Sequence, residues 1–193
     1  MTGSAGDQLK RYPRVSLGHF PSPLEYLPRL TEVLGGPEIW IKRDDCTGLA
    51  GGGNKTRKLE FLLADALEKD CRRVVTFGAV QSNHVRQTAA ACARLGLDCE
   101  LILTRRVARQ SDEYENSGNR LLDELLGANC HVVPGSEAMA ALQAIQDRHP
   151  DGLYVIPAGG SNEIGSLGYV AAMLEMQEQL GLSLQEFDGL IHA

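Results

Sequence analysis

A glycine run that ends at a lysine is the stretch of this sequence best suited to chemistry. Gly51-Gly52-Gly53 is followed by Asn54 and Lys55, where a helical pattern begins. Glycines let the backbone approach a ligand closely, and the first turn of a helix offers unpaired N–H groups and the positive end of the helix dipole. The stretch therefore favours an anion. Lys55 adds an amine that could pair with a phosphate or, if burial and cationic neighbours lower its pKa, act as a Schiff-base nucleophile.

Two other interpretations of this stretch are open. From Gly48 the sequence is Gly-Leu-Ala-Gly-Gly-Gly-Asn-Lys-Thr. It is one residue too long for the nucleotide-binding P-loop pattern, because Asn54 separates the last glycine from the lysine. A P-loop NTPase would need nucleotide binding that depends on Mg²⁺ and on Lys55. A glycine-rich turn before a basic helix can also be a plain surface connection.

A second polar stretch, Gln81-Ser82-Asn83-His84-Val85-Arg86-Gln87-Thr88, follows an apolar run and opens another helical pattern. Together with the first stretch it resembles the pyridoxal-phosphate (PLP) enzymes of the D-cysteine desulfhydrase and 1-aminocyclopropane-1-carboxylate (ACC) deaminase family. The resemblance covers nearly the whole chain, and its further motifs are Pro23-Leu24-Glu25-Tyr26-Leu27, Ile41-Lys42-Arg43-Asp44-Asp45, Tyr154-Val155-Ile156-Pro157 and Gly159-Gly160-Ser161-Asn162. As a combination these motifs are highly specific.

The resemblance implies roles for five residues. Lys55 matches the lysine that holds PLP covalently and, once freed by an incoming amino acid, moves a proton at its Cα. Ser82 matches a serine over the cofactor that acts as nucleophile, acid–base group or positioning group, and it would also suit a helix N-cap. Asn83 matches the asparagine that contacts the 3′-oxygen of the cofactor, and Lys58 matches a residue near the phosphate. Asn54 would shape the site. The plain alternatives are a polar helix entry for Asn83 and a solvated helix lysine for Lys58.

The activity implied by the resemblance is that of a PLP-dependent lyase acting on a small amino acid. His84 after Asn83 is closer to D-cysteine desulfhydrases, which convert D-cysteine to pyruvate, hydrogen sulfide and ammonia, than to ACC deaminases. ACC deaminase is one alternative activity, and L-cysteate sulfo-lyase is another, suggested by the run from Asp45 to Ala50. A noncatalytic binding module is the alternative of another class.

Strand and helix patterns alternate at least four times along the chain. The strands are short and apolar on both faces, which favours a parallel sheet covered by helices and an α/β fold class. Ser82 and Asn83 follow the carboxyl end of one strand, where such sheets bind ligands. The expected strands are 39–42, 73–77, 99–103, 131–133 and 153–156, and the expected helices are 28–34, 56–69, 83–95, 119–126, 137–148 and 165–180.

The domain organisation follows from the resemblance. The family fold, PLP fold type II, has two α/β domains, with the smaller inserted in the larger. We expect 1–60 in the N-terminal part of the large domain, 61–170 in the small inserted domain, and 171–193 at the start of the returning large domain. Residues 189–193 are predicted to be a strand, after which family members continue into a glycine-rich loop around the PLP phosphate. We therefore expect a C-terminally incomplete chain with weak PLP binding and little turnover by itself, and a homodimer in the full-length form.

The composition favours a soluble globular protein, since 43% of the 193 residues are hydrophobic. A formal net charge of −6 argues against a nucleic-acid partner. No apolar run approaches the ~20 residues of a membrane span, so we expect no membrane association and a cytoplasmic location. The five cysteines are scattered without a C-x-x-C pair, and the histidines show no H-x-x-x-H spacing, so no metal site is expected.

Overall fold

The computed structural model describes residues 4–107 and 111–191. In chain order the helices and strands are α1 (Ala5–Leu9), β1 (Leu24–Tyr26), α2 (Pro28–Leu34), β2 (Trp40–Lys42), α3 (Lys55–Glu68), β3 (Arg73–Ala79), α4 (Asn83–Leu95), β4 (Asp98–Thr104), α5 (Asp112–Asn116), α6 (Gly118–Leu125), β5 (Asn129–Val133), α7 (Ala138–Arg148), β6 (Leu153–Ile156) and α8 (Glu163–Leu180). Short 3₁₀ turns lie at Asp44–Cys46, Leu49–Gly51, Gly135–Glu137, Ala158–Gly160 and Leu184–Glu186. This order confirms the predicted α/β class.

Four strands form one parallel sheet in the order β5-β4-β3-β6. β3 and β4 pair from Arg73 opposite Asp98 to Ala79 opposite Thr104, and β6 joins the other side of β3. Helices connect these strands, because parallel neighbours need a long crossover. The chain moves outward from β3 to β5 and then returns to the opposite edge with β6. The strand order therefore changes direction between β3 and β6, and the crevice outside the carboxyl ends of such strands is the usual ligand site in open α/β sheets.

Helix α3 is buried on nearly every side. Leu59 and Leu62 lie three residues apart on one face of the predicted helix 56–69, and both of these side chains are fully buried. Arg57 and Glu60, on other faces of the helix, are also buried. The reason is the close approach of α8, which packs along α3. Gly168 of α8 permits this approach, since a Cβ at that position would lie 2.4 Å from the carbonyl oxygen of Arg57.

The buried charges of α3 connect it to distant parts of the chain. The Arg57 guanidinium donates hydrogen bonds to the Asp44 carboxylate at 2.6 and 2.8 Å and to the Glu175 carboxylate of α8 at 3.0 and 2.9 Å. The Glu60 carboxylate accepts a hydrogen bond from the Leu17 N–H at 2.8 Å. A buried charge is tolerated only when it is paired and well bonded, so these contacts hold the N-terminal segment and α8 against α3.

The structure corrects two predictions near the ends of the chain. The expected helices begin at 28–34 and the expected strands at 39–42, but the N-terminal region also contains α1 and β1. β1 pairs antiparallel with β2 from Leu24 opposite Lys42 to Tyr26 opposite Trp40. The strand expected at 189–193 is not formed at 189–191, and 192–193 lie outside the described residues. A strand needs a neighbouring strand to bond its N–H and C=O groups, and none of the six described strands lies beside this segment.

The domain boundaries after residues 60 and 170 stay a prediction. The first falls inside α3 and the second inside α8, which is 18 residues long. Over residues 4–107 and 111–191, no helix has both the length and the apolar character that a bilayer crossing requires.

Candidate functional site

A cleft of about 880 Å³ lies between the start of α3, the start of α4 and one side of α8. Four of the five residues singled out from the sequence line it: Asn54, Lys55, Lys58 and Asn83. Ser82, the fifth, is half-buried directly before Asn83 but is not itself a lining residue. Helix α8 supplies the facing wall through Ser166, Tyr169, Ala172, Met173 and Met176.

The glycine run before α3 takes up a backbone conformation that side chains rarely allow. The φ angle is 88° at Gly51 and 82° at Gly52, and a Cβ on Gly52 would lie 2.0 Å from the carbonyl oxygen of Asp45. The Gly53 N–H donates to the Thr47 hydroxyl at 2.8 Å, and that hydroxyl donates to the Gly53 carbonyl oxygen at 2.9 Å. The glycines are therefore needed to turn the chain sharply into α3.

The sequence predicted unpaired N–H groups at the start of α3, and this does not hold for Thr56. The Gly52 N–H donates to the Leu49 carbonyl oxygen at 3.0 Å, and the Thr56 N–H donates to the side-chain oxygen of Gln87 at 2.9 Å. These donors are satisfied within the protein, because α4 brings Gln87 against the first turn of α3.

Lys55 is the first residue of α3, and its side chain is half-buried in the cleft. Burial lowers the pKa of its amine below the ordinary lysine value, because the ammonium form loses hydration. Within the described part of the chain the amine has neither a hydrogen bond nor an ion pair. A free amine with a lowered pKa is suited to attack a carbonyl carbon.

Lys58 lies one turn after Lys55 on the same side of α3. Burial, and then the charge of Lys55, lower the pKa of its amine. That amine donates to the carbonyl oxygen of Gly159 at 3.1 Å and to the Ser161 hydroxyl at 2.8 Å, and it lies 5.5 Å from the centre of the Tyr169 ring. Lys58 is thus a buried, fixed cation and not a solvated helix lysine.

Ser82 occupies the N-cap position of α4, but its side chain makes no capping hydrogen bond. Gly78 at the end of β3 leaves room for it, since a Cβ there would lie 2.8 Å from the Cβ of Ser82. Asn83 is exposed in the cleft. Its backbone carbonyl oxygen accepts a hydrogen bond from the Gln87 side-chain amide at 2.9 Å. Among the described residues the Ser82 hydroxyl has no partner, so it is available to a ligand.

Two residues near the cleft make interactions that the sequence analysis did not assign. The Tyr169 hydroxyl accepts a hydrogen bond from the Asn54 side-chain amide at 2.9 Å, so α8 fixes the residue that precedes Lys55. The only feature of the sequence that pointed to Tyr169 was its aromatic side chain two helical turns after Asn162. His84, noted in the sequence as a motif residue, is buried in α4 with one ring nitrogen unpartnered.

Comparison with known proteins gives one family. The family model described as "Pyridoxal-phosphate dependent enzyme" matches residues 15–193. The D-cysteine desulfhydrase of Klebsiella pneumoniae subsp. pneumoniae is 49% identical over 175 residues, which cover 89% of this chain and 53% of that protein. The D-cysteine desulfhydrase of Salmonella paratyphi B is 48% identical with the same coverage. The chain thus spans about half the length of the curated relatives it matches.

Solved structures give the same fold. The crystal structure of an ACC deaminase homologue superposes with a TM-score of 0.80 at 42% identity, covering 93% of this chain and 55% of that one. A pyridoxal 5′-phosphate-dependent aspartate racemase superposes with a TM-score of 0.71 over 91% of this chain and 51% of that one. Its 20% identity shows the fold alone. These likenesses confirm the α/β fold predicted from the sequence.

Proposed function

The chain belongs to the family of pyridoxal-phosphate-dependent enzymes, and from this membership we propose that its cleft binds pyridoxal 5′-phosphate through Lys55. The observation that carries the proposal is the state of the Lys55 amine. It stands in a cleft of about 880 Å³, its pKa is lowered by burial, and it has no partner among the described residues. An aldehyde is captured by an unprotonated amine, and this environment increases the unprotonated fraction at neutral pH.

The other cleft residues fit the remaining groups of the cofactor. Its phosphate is an anion, and Lys58 is a buried cation in the wall of the same cleft. The 3′-oxygen attached to its ring needs a hydrogen-bond donor, and the exposed side-chain amide of Asn83 can supply one. Asn54 is held in place by Tyr169, so the backbone on the amino side of Lys55 is fixed. Charge, donor type and rigidity therefore support the assignment of Asn54, Lys58 and Asn83 as cofactor-binding residues.

PLP, when bound, supplies an electron-withdrawing ring that stabilises negative charge at the substrate Cα. The side chains of the cleft would move the proton and hold the substrate and the cofactor. Lys55, once its amine is displaced by the substrate, would be the base that removes the Cα proton and holds it in the site. Ser82 presents a hydroxyl without a capping bond, which can hold the substrate and exchange a proton with it. Lys58 would hold the anionic end of the cofactor when its amine is protonated.

We propose that the substrate is D-cysteine. The support is the 48–49% identity to D-cysteine desulfhydrases over 175 residues. In this reaction the Cβ–S bond breaks, and D-cysteine and water give pyruvate, hydrogen sulfide and ammonia. The alternatives within the family are ACC deaminase, which the likeness to an ACC deaminase homologue keeps open, and L-cysteate sulfo-lyase, which would release sulfite. We further propose that the full-length protein is a cytoplasmic homodimer without a nucleic-acid or membrane partner.

The cofactor assignment is tested by trapping PLP on the purified chain with borohydride and mapping the modified peptide. We expect the reduced adduct on Lys55 and its loss in Lys55→Ala. Lys69→Ala is the matched control, since Lys69 is an exposed lysine at the other end of α3, and it should leave the adduct unchanged. An adduct that persists in Lys55→Ala would refute the assignment.

The substrate assignment is tested on the full-length gene product with D-cysteine, L-cysteate and ACC offered side by side. Hydrogen sulfide with pyruvate is the expected result, whereas sulfite or 2-oxobutanoate would identify one of the alternatives. An adduct on Lys55 without turnover of any of the three would support a noncatalytic binding module.

A further inference from the structure

The His84 side chain lies inside the protein, with 3% of its surface exposed. A Cβ placed on Gly160 would lie 3.5 Å from the His84 Cε1 atom and 3.5 Å from the Lys58 Cδ atom. A Cβ placed on the adjacent Gly159 would lie 3.9 Å from the Lys55 Cε atom. Three basic side chains thus converge on the turn that follows β6, and only the two lysines have an assigned role.

The hydrogen bonds of His84 fix which ring nitrogen carries the proton. Its Nε2 atom lies 2.9 Å from the hydroxyl oxygen of Thr76 in β3. The Thr76 hydroxyl donates its single proton to the Ile156 carbonyl oxygen in β6 at 3.0 Å. Thr76 can therefore only accept from His84, and the ring is the Nε2–H tautomer with a lone pair on Nδ1.

The Nδ1 atom is buried, and among the described residues it has no hydrogen-bond donor. Burial, followed by the charges of Lys55 and Lys58, lowers the pKa of His84 to about 3, so the ring is neutral at physiological pH. A buried acceptor without a donor is unfavourable and uncommon in proteins. Such an atom indicates a donor that arrives in another state of the site.

Of the two neighbouring donors, Lys55 is the one whose amine is not already bonded to a described residue. The Lys58 amine already donates to the Gly159 carbonyl oxygen and the Ser161 hydroxyl. The Lys55 amine has no partner in the described part of the chain, and it is carried on a flexible four-carbon stem. Of the two ammonium charges, that of Lys55 acts more strongly on His84.

We propose that His84 is a positioning residue of this site, whose Nδ1 accepts a hydrogen bond from the Lys55 amine when the lysine side chain swings inward. The inference rests on the proposed function, in which an incoming amino acid displaces Lys55 and leaves its amine free. A free amine in an open cleft samples many directions. The bond to Nδ1 restricts it, so that the lone pair stays directed to the position from which the proton is taken.

The test measures the pKa of Lys55 in the chain without PLP, from the pH dependence of its acetylation rate read by mass spectrometry. His84→Leu removes the acceptor, whereas His84→Gln keeps a donor for Thr76 and an acceptor for Lys55. Since an acceptor stabilises the ammonium form, we expect His84→Leu to lower the pKa of Lys55 by about one unit. In His84→Gln the pKa of Lys55 should stay close to its value in the parent chain. Lys69, measured in the same samples, should not change in either variant.

A second measurement does not depend on the folding of His84→Leu. Imidazole ¹⁵N NMR of the parent chain should show His84 as the neutral Nε2–H tautomer between pH 5 and 8. In Thr76→Val, which is nearly isosteric, the Nδ1–H tautomer should appear and the pKa of Lys55 should fall. The proposal would be overturned if the His84 ring of the parent chain were the Nδ1–H tautomer. It would also be overturned if the pKa of Lys55 were the same in the parent chain, His84→Leu and His84→Gln. Absence of a PLP adduct on Lys55 would overturn the proposed function instead, without changing either of these readouts.

Discussion

The Asp123 carboxylate of α6 is fully buried, and neither of its oxygens has a hydrogen-bond partner among the described residues. Burial raises its pKa to about 7, although the nearby charges of Arg120 and Arg86 act in the opposite direction. Arg86 is the residue that links this carboxylate to the cleft, since its guanidinium donates to the carbonyl oxygens of Ala50 and Gly52 in the glycine turn. Among the described residues, therefore, a buried carboxyl group without hydrogen-bond partners lies near the arginine that supports the turn before Lys55.

The free energy of unfolding should reflect this buried carboxyl group. Between its ordinary pKa of 3.8 and its folded value of about 7, the unfolded chain releases the Asp123 proton while the folded chain retains it. Stability from this group is therefore present below pH 4 and is lost as the pH rises to 7, by at most about 1.4 kcal/mol per pH unit. Asp123→Asn removes this loss. We expect urea unfolding to show the variant gaining about 2.5 kcal/mol in free energy of unfolding relative to the parent chain between pH 5 and pH 8.

The control for this prediction is Asp151→Asn, because Asp151 is exposed in the loop before β6. The difference in free energy of unfolding between Asp151→Asn and the parent chain should be the same at pH 5 and at pH 8. If the free energies of unfolding of Asp123→Asn and the parent chain also differed by the same amount at pH 5 and pH 8, the Asp123 carboxyl group would have to be ionised at pH 5 in the folded protein.

At the scale of elements, the site depends on how closely α8 approaches α3. Gly168 is the contact point, since a Cβ there would lie 2.4 Å from the Arg57 carbonyl oxygen and 2.8 Å from the Lys58 nitrogen. The same helix pair is joined by the Arg57–Glu175 ion pair and positions Tyr169 against Asn54. Backbone atoms cannot move aside as a flexible side chain can, so the two helices must separate if this glycine acquires a side chain.

Gly168→Ala should therefore destabilise the protein, although alanine favours helices in isolation. We expect a loss of about 2–4 kcal/mol in urea unfolding, from the displacement of packed backbone. Weaker capture of PLP should accompany it, because Lys58 and Tyr169 move with their helices. Gly36→Ala is the control, since nothing lies within 4 Å of a Cβ at that position. Equal stability of the Gly168 and Gly36 variants would show that the helices separate without cost.

At the scale of the whole molecule, the two sheets differ in how well they are enclosed. β3 and β4 are the inner strands of the four-stranded sheet, and most of their residues are buried. β1 and β2 form a separate sheet of only two strands, each three residues long, in which Trp40 and Ile41 are exposed. Two-stranded sheets are marginally stable by themselves, so the fold is held together by the parallel sheet and the helices around it.

Amide hydrogen exchange should follow this division. We expect the slowest exchange at Arg73–Ala79 and Asp98–Thr104, because these strands open only with global unfolding. β1 and β2 should exchange faster by orders of magnitude, and the edge strands β5 and β6 should lie in between. Exchange read by mass spectrometry on overlapping peptides distinguishes the three groups. Equal protection of β1–β2 and β3–β4 would mean that the smaller sheet unfolds only together with the rest.

Local chemistry in the sequence was enough to predict most of the elements and to single out part of the candidate site. Gly96 ends α4 with a φ of 69°, Pro28 begins α2, and the apolar strands gave the parallel sheet, because caps, turns and periodicity act over a few residues. Lys55 was identified from the sequence for the same reason, since the glycine turn and the helix start adjoin it. Its assigned role in PLP binding stays a proposal.

Only the tertiary structure decided the contacts between distant residues. Arg57 pairs with Glu175 across 118 positions, and Asn54 bonds to Tyr169 across 115. The tautomer of His84 depends on the Ile156 carbonyl oxygen, which β6 brings beside β3. Such contacts are set by strand order and by the packing of α8 on α3, and no short-range pattern records either. The residues to which we assign the chemistry are therefore visible in the sequence, whereas the charge and orientation of their partners are fixed by the fold.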